Sequence, residues 1–245
     1  MPLPLSWREV LDGPAFLMNM AECKDRLQIA TKNIVDAGFT SLVRWEAVDA
    51  RRSDDLAAAW ARHGNPAFDP SDAEFVQYPG KQGCFLSHVD IWKHIVVNRI
   101  PFATIFEDDV FFHSAWHFLA HKYFEGTPPT YDLLYFGSQI ELMHRSHILR
   151  TPVFCTHAYL ITLEGAQRCL DALLKHPVGV STIDCMLINY MNDCIYRKKQ
   201  CPFNWFAWNG TLAPDPAASA DPSWAKRNSG LVFQDASMGS FVRPW

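Results

Sequence analysis

The stretch "PFATIFEDDVFF" at positions 101–112 constrains the fold more than any other. Its apolar run has the length of a strand buried on both faces, and such strands belong to sheets covered by helices on each side. The run ends on Glu107, Asp108 and Asp109, placing three carboxylates where the chain leaves the sheet. In open α/β sheets, ligands bind beyond that edge.

The remainder alternates in the same sense. "AFLMNM" (15–20) reads as a first strand, and "ECKDRLQIATKNIVDAG" (22–38) as a helix with Leu27, Ala30, Ile34 and Val35 at helical spacing and a stop at Gly38. "SLVRWEAVDA" follows as a strand and "SDDLAAAWARHG" as a helix, and the proline-rich segment 65–80 reads as a loop. "CFLSHVDIWKHIVVN" (84–98) predicts an amphipathic helix with Phe85, His88, Val89, Trp92, Ile95 and Val96 on one face. After the carboxylates come a helix around "SAWHFLAHKYF", a strand "YDLLYFG" stopped by Gly137, a strand "FCTHAYLIT", and helices "LEGAQRCLDALLKH" and "STIDCMLINYMND". The expected fold is α/β: a Rossmann-type mixed, mainly parallel sheet with helices on both faces. At 245 residues this is expected to be a single domain, 1–245, with 201–245 a C-terminal tail wrapped on it.

Charge and composition narrow the partners. A net charge of −4, with Arg197-Lys198-Lys199 the longest basic run, gives no reason to expect nucleic acid. No apolar stretch reaches the roughly 18 residues of a membrane span, and the start lacks the basic and apolar regions of a secretory signal. The chain is therefore expected to be soluble and intracellular. Its seven cysteines form no CxxC pair and read as reduced thiols filling core space, rather than as a disulfide framework.

Three adjacent carboxylates repel one another unless something positive sits among them. A divalent cation answers this, and hard oxygen ligands suit Mg²⁺ or Mn²⁺ while leaving positions for substrate phosphate oxygens. Along an extended chain Glu107 and Asp109 share a face, which makes them the expected metal ligands, and Asp108 points the other way. The competing reading is a helix N-terminus, where acids complement the dipole.

"GCFLSHVDIWKHIVVN" followed by "ATIFEDDV" resembles the central signature of glycosyltransferase family 25. "FLMNMAECKDRL", "EAVDA", "YDLLYFGS", "THAYLITLEGAQRCLDAL", "TIDCML" and "GLVFQDASMGS" are similar, in order, to its other blocks, so that the likeness spans about residues 15 to 240. The resemblance implies a GT-A-like fold, a UDP-sugar donor, Mn²⁺ (or Mg²⁺) as cofactor and inversion at the anomeric carbon, with a hexose, galactose or glucose, passed to a hydroxyl of a glycan or glycoconjugate acceptor. It places Asn19, Arg26, Ser87, His88, Asp108 and Gln234 around the nucleotide sugar.

Other residues enter with two readings each. Asp184, an isolated acid opening an apolar helix, is the candidate catalytic base, or else a cap behind Ser181 and Thr182. Ser87 and His88 are read at a helix start whose free amides suit a phosphate or sugar hydroxyl, and His88 alternatively as a core histidine. Trp205 and Trp208 form either an acceptor-sugar platform or core. His113, His117 and His121 fall at i, i+4 and i+8 and read as one partly exposed helix face. Two other classes stay open: a metal-dependent phosphohydrolase, against which the lack of a DxDxT-like nucleophile motif counts, and a non-catalytic nucleotide-sugar-binding module. Association into homo-oligomers is open as well.

Overall fold

The computed structural model describes residues 5–63, 79–139, 146–175, 182–196, 203–210, 215 and 228–234. Residues 65–78 of the expected proline-rich loop, Ser181, the 197–199 basic run, Cys201 and the "SMGSFV" end of the tail lie outside them, while Pro79 and Gly80 are helical and not loop.

The chain runs α1 (Trp7–Asp12), β1 (Pro14–Asn19), α2 (Lys24–Asp36), β2 (Ser41–Glu46), α3 (Ser53–His63), α4 (Pro79–Val97), β3 (Phe102–Glu107), β4 (Val110–Phe112), α5 (Trp116–Gly126), β5 (Leu133–Gln139), β6 (Ile148–Leu149), β7 (Phe154–Thr162), α6 (Leu163–Lys175), α7 (Ile183–Tyr196), β8 (Trp205–Trp208), β9 (Asn228–Gly230) and β10 (Val232–Gln234). The main sheet has the order β2-β1-β3-β7-β5-β8-β6, with β9 also on β5. β2, β1, β3, β5 and β8 point one way; β7 is inserted antiparallel between β3 and β5, and β6 is antiparallel to β8. The sheet is thus mixed and mainly parallel, as expected from the sequence.

Strand periodicity sorts the core into two layers. Phe16, Met18, Ala103, Ile105, Leu133, Tyr135, Tyr159 and Ile161 face one way, against α4, α6 and α7. Their neighbours Ala15, Leu17, Phe106, Leu134, Phe136, Ala158 and Leu160 face the other, against α1, α2 and α5. Helices therefore cover both faces, which is why these strands are apolar at every position rather than at alternate ones.

Several expectations are corrected. α4 starts at Pro79, and buries Leu86 and Ile91 as well as the expected face, so it is a central helix enclosed nearly all round rather than an amphipathic one. β5 does not stop at Gly137 but bulges there. A Cβ at Gly137 would lie 1.9 Å from the Val232 carbonyl oxygen and 2.3 Å from His157 Nε2, so glycine is needed for close approach rather than for a turn. The tail supplies β8 to the interior of the sheet and β10 to a small second sheet with β4. His113 precedes α5 and is buried, with the Ala115 amide donating to its Nδ1 at 2.9 Å, so the three histidines do not share a helix face. Cys194 is disulfide-bonded, which corrects the expectation of reduced thiols there, while Cys23, Cys84, Cys155, Cys169 and Cys185 are free.

Candidate functional site

Register assembles the site. Met18 pairs with Glu107, so Asn19 lies beside Asp108 at the carboxyl edge of the sheet. Val110 pairs with Gln234, which brings the tail to Asp109. Phe106 pairs with Ala158, so antiparallel β7 delivers Thr156 and His157 to the same edge.

The three carboxylates occupy the end of β3 and the turn before β4, not a helix N-terminus, which removes the capping reading. Extended alternation also ends at Glu107, so the same-face argument for Glu107 and Asp109 does not extend past the strand. Instead Arg26 reaches both Asp108 Oδ1 and, at 3.7 Å, Asp109 Oδ2. Asn19 Nδ2 donates to Asp108 Oδ2 at 2.7 Å, and Arg44 donates to the Asn19 side chain and carbonyl at 3.2 Å each. Asn19, Arg26 and Asp108 therefore hold one another.

Glu107 is held from the opposite side. Thr156 donates to its Oε1 at 3.1 Å, and His88 Nε2 lies 3.4 Å from the same oxygen. Hydrogen-bond capacity assigns the His88 tautomer. The Glu107 carboxylate can only accept, so the proton sits on His88 Nε2 facing it, and Nδ1 accepts from the Tyr159 hydroxyl at 2.8 Å, which itself accepts from Trp92 Nε1 at 2.9 Å.

Position and burial push the neighbouring acids apart. Burial alone would raise Glu107, but His88, with His157 and Thr156, outweighs it and holds the carboxyl below its ordinary value. Asp108 is raised, chiefly by burial, against the pull of Arg26 and Asn19. Asp109 is pushed up to about 8, first by burial and next by the charge of Glu107. Its Oδ1 is buried without a hydrogen-bond partner, and Gln234 Nε2 approaches Oδ2 only at 3.5 Å. An orphaned buried carboxylate oxygen next to a charged glutamate is a position that a cation would suit. Among the described residues, the one compact group of potential ligand atoms is Cys84, His88 and Glu107, all within 4.8 Å of one another.

The remaining expected residues fall differently. Ser87 lies well inside α4, where its hydroxyl donates to the Gly83 carbonyl at 2.6 Å and accepts from the Val48 amide at 2.9 Å. It pins the loop after β2 to the helix, and it offers no free amides of a helix start. Asp184 accepts from the Cys185 amide at 2.8 Å, the Cys155 amide at 3.1 Å and the Thr182 hydroxyl. Those bonds occupy three of a carboxylate's roughly four lone-pair sites. Trp205 and Trp208 are fully buried, and Trp205 donates to the Thr151 carbonyl at 3.0 Å, so neither has a face for a sugar. Sequence reasoning missed Arg44, Thr156 and Tyr159; polar Thr156 and His157 opening an otherwise apolar strand were the available signal.

Next to the carboxylates a cleft of about 630 Å³, including solvent at its mouth, is lined by Met18, Met20, Val48, Asp49, Cys84 and Glu107 among others. Asp49 is bound through both oxygens by Arg51, at 2.8 Å each. Gly83 lets α4 approach this loop: a Cβ there would lie 2.5 Å from the Val48 carbonyl oxygen.

The family model described as Glycosyltransferase family 25 (LPS biosynthesis protein) matches residues 13–147, more than half of the chain. The chain belongs to glycosyltransferase family 25. The matched part includes Asn19, Arg26, Ser87, His88 and the three carboxylates, and ends before Asp184, Trp205, Trp208 and Gln234. Procollagen galactosyltransferase 1-A of Xenopus laevis is 32% identical over 106 residues, 38% of this chain and 17% of the relative. Procollagen galactosyltransferase 2 of Mus musculus is 24% identical over 170 residues, 64% of this chain and 27% of the relative. A human relative named inactive glycosyltransferase 25 family member 3 is 30% identical over 102 residues, 37% of this chain and 17% of the relative. The chain thus spans less than a third of the length of these curated relatives. A solved glycosyltransferase involved in glycosylation of the PBCV-1 major capsid aligns over 94% of both chains at 9% identity with a TM-score of 0.47. Mouse xyloside xylosyltransferase 1 aligns over 91% of this chain and 97% of its own at 12% identity and 0.44. No helix among the described residues is long and apolar enough to cross a membrane.

Proposed function

We propose that this family 25 chain is a metal-dependent, inverting, GT-A-type glycosyltransferase that moves a hexose, galactose or glucose, from a UDP-sugar to a hydroxyl of a glycan or glycoconjugate. The observation that carries this reading is Asp109: its Oδ1 is buried and unpartnered beside charged Glu107, in the turn where the sheet delivers its carboxylates.

The donor set fits Mn²⁺ or Mg²⁺, with Asp109 and Glu107 as the holding residues, since both bonds to Glu107 use Oε1 and leave the other oxygen unneeded for them. When bound, the cation neutralises charge developing on the leaving diphosphate. Arg26 and Asn19 fix Asp108, and through it the turn that carries Asp109. Arg26 also places a positive charge beside both aspartates. His88 and Thr156 orient Glu107. The apolar cleft wall of Met18, Met20 and Val48 with Asp49 suits the nucleoside. Gln234 stands next to Asp109 as a further donor contact. Asp184 is the base candidate; its charge acts on Cys84 together with those of Glu107 and Asp109, so it faces the same region, and one lone-pair site is left for an acceptor hydroxyl.

The test is UDP release. Protein supplied with Mn²⁺ and a panel of UDP-sugars should release UDP with one donor, faster when glycan acceptors are added, with EDTA and Asp109→Asn each abolishing release. A second reading, a non-catalytic nucleotide-sugar-binding module, is favoured by the inactive relatives matching at nearly the same identity as the galactosyltransferases. It holds instead if one UDP-sugar binds and no UDP is released with any acceptor.

A further inference from the structure

We propose that Cys84, His88 and Glu107 form a binding site for a thiophilic divalent cation, Zn²⁺ being the natural occupant. Cys84 and His88 stand at i and i+4 on α4, so their side chains meet on one face, and Glu107 approaches from the end of β3. Their ligand atoms lie within 4.8 Å of one another, with His88 Nε2 to Glu107 Oε1 at 3.4 Å. Tetrahedral Zn²⁺ with a sulfur ligand at about 2.3 Å and nitrogen or oxygen ligands at about 2.0 to 2.2 Å needs ligand atoms roughly 3.3 to 3.8 Å apart. The group must therefore contract by at most about 1.5 Å.

The ligand types select the ion. A thiolate with an imidazole and a single carboxylate suits Zn²⁺, whereas Mg²⁺ and Mn²⁺ prefer all-oxygen sets and stand below Zn²⁺ in intrinsic affinity. The Cys84 thiolate and Glu107 balance the two positive charges. Cys84 is a free thiol, and both it and Glu107 line the cleft, which gives an ion a way in. The ring of His88 is already held from behind by Tyr159 at Nδ1, which a metal-bound ring would meet as a donor once its proton has moved there. On binding, the thiol proton leaves to solvent, the His88 proton moves from Nε2 to Nδ1, and the Tyr159 hydroxyl turns its own proton off the ring so that its oxygen accepts from Nδ1–H. The consequence for activity rests on the transferase reading above: Zn²⁺ here takes Glu107 out of the hard-cation set and blocks sugar transfer.

Binding itself is tested without any sugar. Metal-free protein is titrated with Cd²⁺, following the thiolate-to-cadmium charge-transfer absorption, and then with Zn²⁺ as competitor. The account requires a band saturating at one equivalent, displaced by Zn²⁺ and not by Mg²⁺, lost in Cys84→Ser and kept in Cys185→Ser. His88→Gln should weaken binding by about tenfold or more. Circular dichroism melts establish that each variant is folded. A band of undiminished amplitude and affinity in folded Cys84→Ser, or no band in the wild type, overturns the site. Neither result depends on transfer, so failure of the enzymatic reading would leave this one standing or falling separately.

Discussion

Asn19 donates a 2.7 Å hydrogen bond to Asp108 across 89 residues of sequence, joining the ends of β1 and β3. Arg26 completes the arrangement by reaching Asp108 and Asp109, with its side chain only 15% exposed. Removing one partner of a buried ion pair leaves an uncompensated charge, which costs about 3 to 5 kcal/mol. Arg26→Ala should therefore lower stability by that order in denaturant melts and abolish UDP release. Asn19→Ala removes a hydrogen bond to a charged group and should cost about 1.5 to 3 kcal/mol. Arg26→Lys should rescue only in part, because a single ammonium does not span both carboxylates as the guanidinium does.

Asp109 fixes a pH dependence. Its folded value near 8 stands above the roughly 3.9 of an unfolded aspartate, so between those values the native state binds more protons than the unfolded one. Stability of the metal-free protein should therefore fall as pH rises from about 4 to about 8. Glu107, held low, contributes in the opposite sense and only at the acid end, where its stabilisation is lost as pH falls through its folded value. Asp109→Asn should flatten the decline, and Mn²⁺ should restore melting temperature at pH 8 in the wild type alone. A melting temperature that does not change over this range in metal-free wild type contradicts the assignment.

Glu107 and Tyr159 together set which nitrogen of His88 carries the proton. Long-range ¹⁵N–¹H spectra should show the Nε2–H tautomer in the metal-free wild type. In Tyr159→Phe the ring loses its anchor at Nδ1 while Glu107 still accepts from Nε2, so the tautomer should persist on a less fixed ring, with weaker retention of Glu107 and a lower kcat at little changed donor KM. Finding Nδ1–H in the wild type would remove the argument for His88 as the donor to Glu107.

Cys155 adopts φ 69°, a left-handed conformation, and from it donates its amide to Asp184 while Thr156 beside it donates to Glu107. Non-glycine residues in that region carry about 1 to 3 kcal/mol of strain. Cys155→Gly should be neutral or stabilising in urea melts. Cys155→Val, β-branched and more strongly disfavoured there, should destabilise and should disturb both acids together.

What the sequence made legible follows from periodicity. β1, β3, β5 and β7 were readable because strands buried on both faces are apolar at every position, and the sheet edge that carries the candidate site followed from their alternation with helices. Glu107, Asp108 and Asp109 were visible because charge interrupts such a run. The antiparallel insertion of β7 was not, because strand direction within a sheet leaves no local mark, and with it Thr156 and Tyr159 were hidden from their partners. Trp205 and Trp208 were ambiguous because a sugar platform and a core require the same side chain; burial decided for the core. Ser87 was misplaced at a helix start because the turns of α4 before it, Pro79 onward, contain two glycines and lack an apolar period.

The central claim is that Asp109 belongs to a cation-dependent nucleotide-sugar site, and calorimetric titration of UDP-sugar into protein with Mn²⁺ and with EDTA measures it most directly. The account predicts binding of one UDP-sugar that requires Mn²⁺ and is lost in Asp109→Asn, with the variant still folded. Equal affinity with EDTA, or in Asp109→Asn, would contradict it.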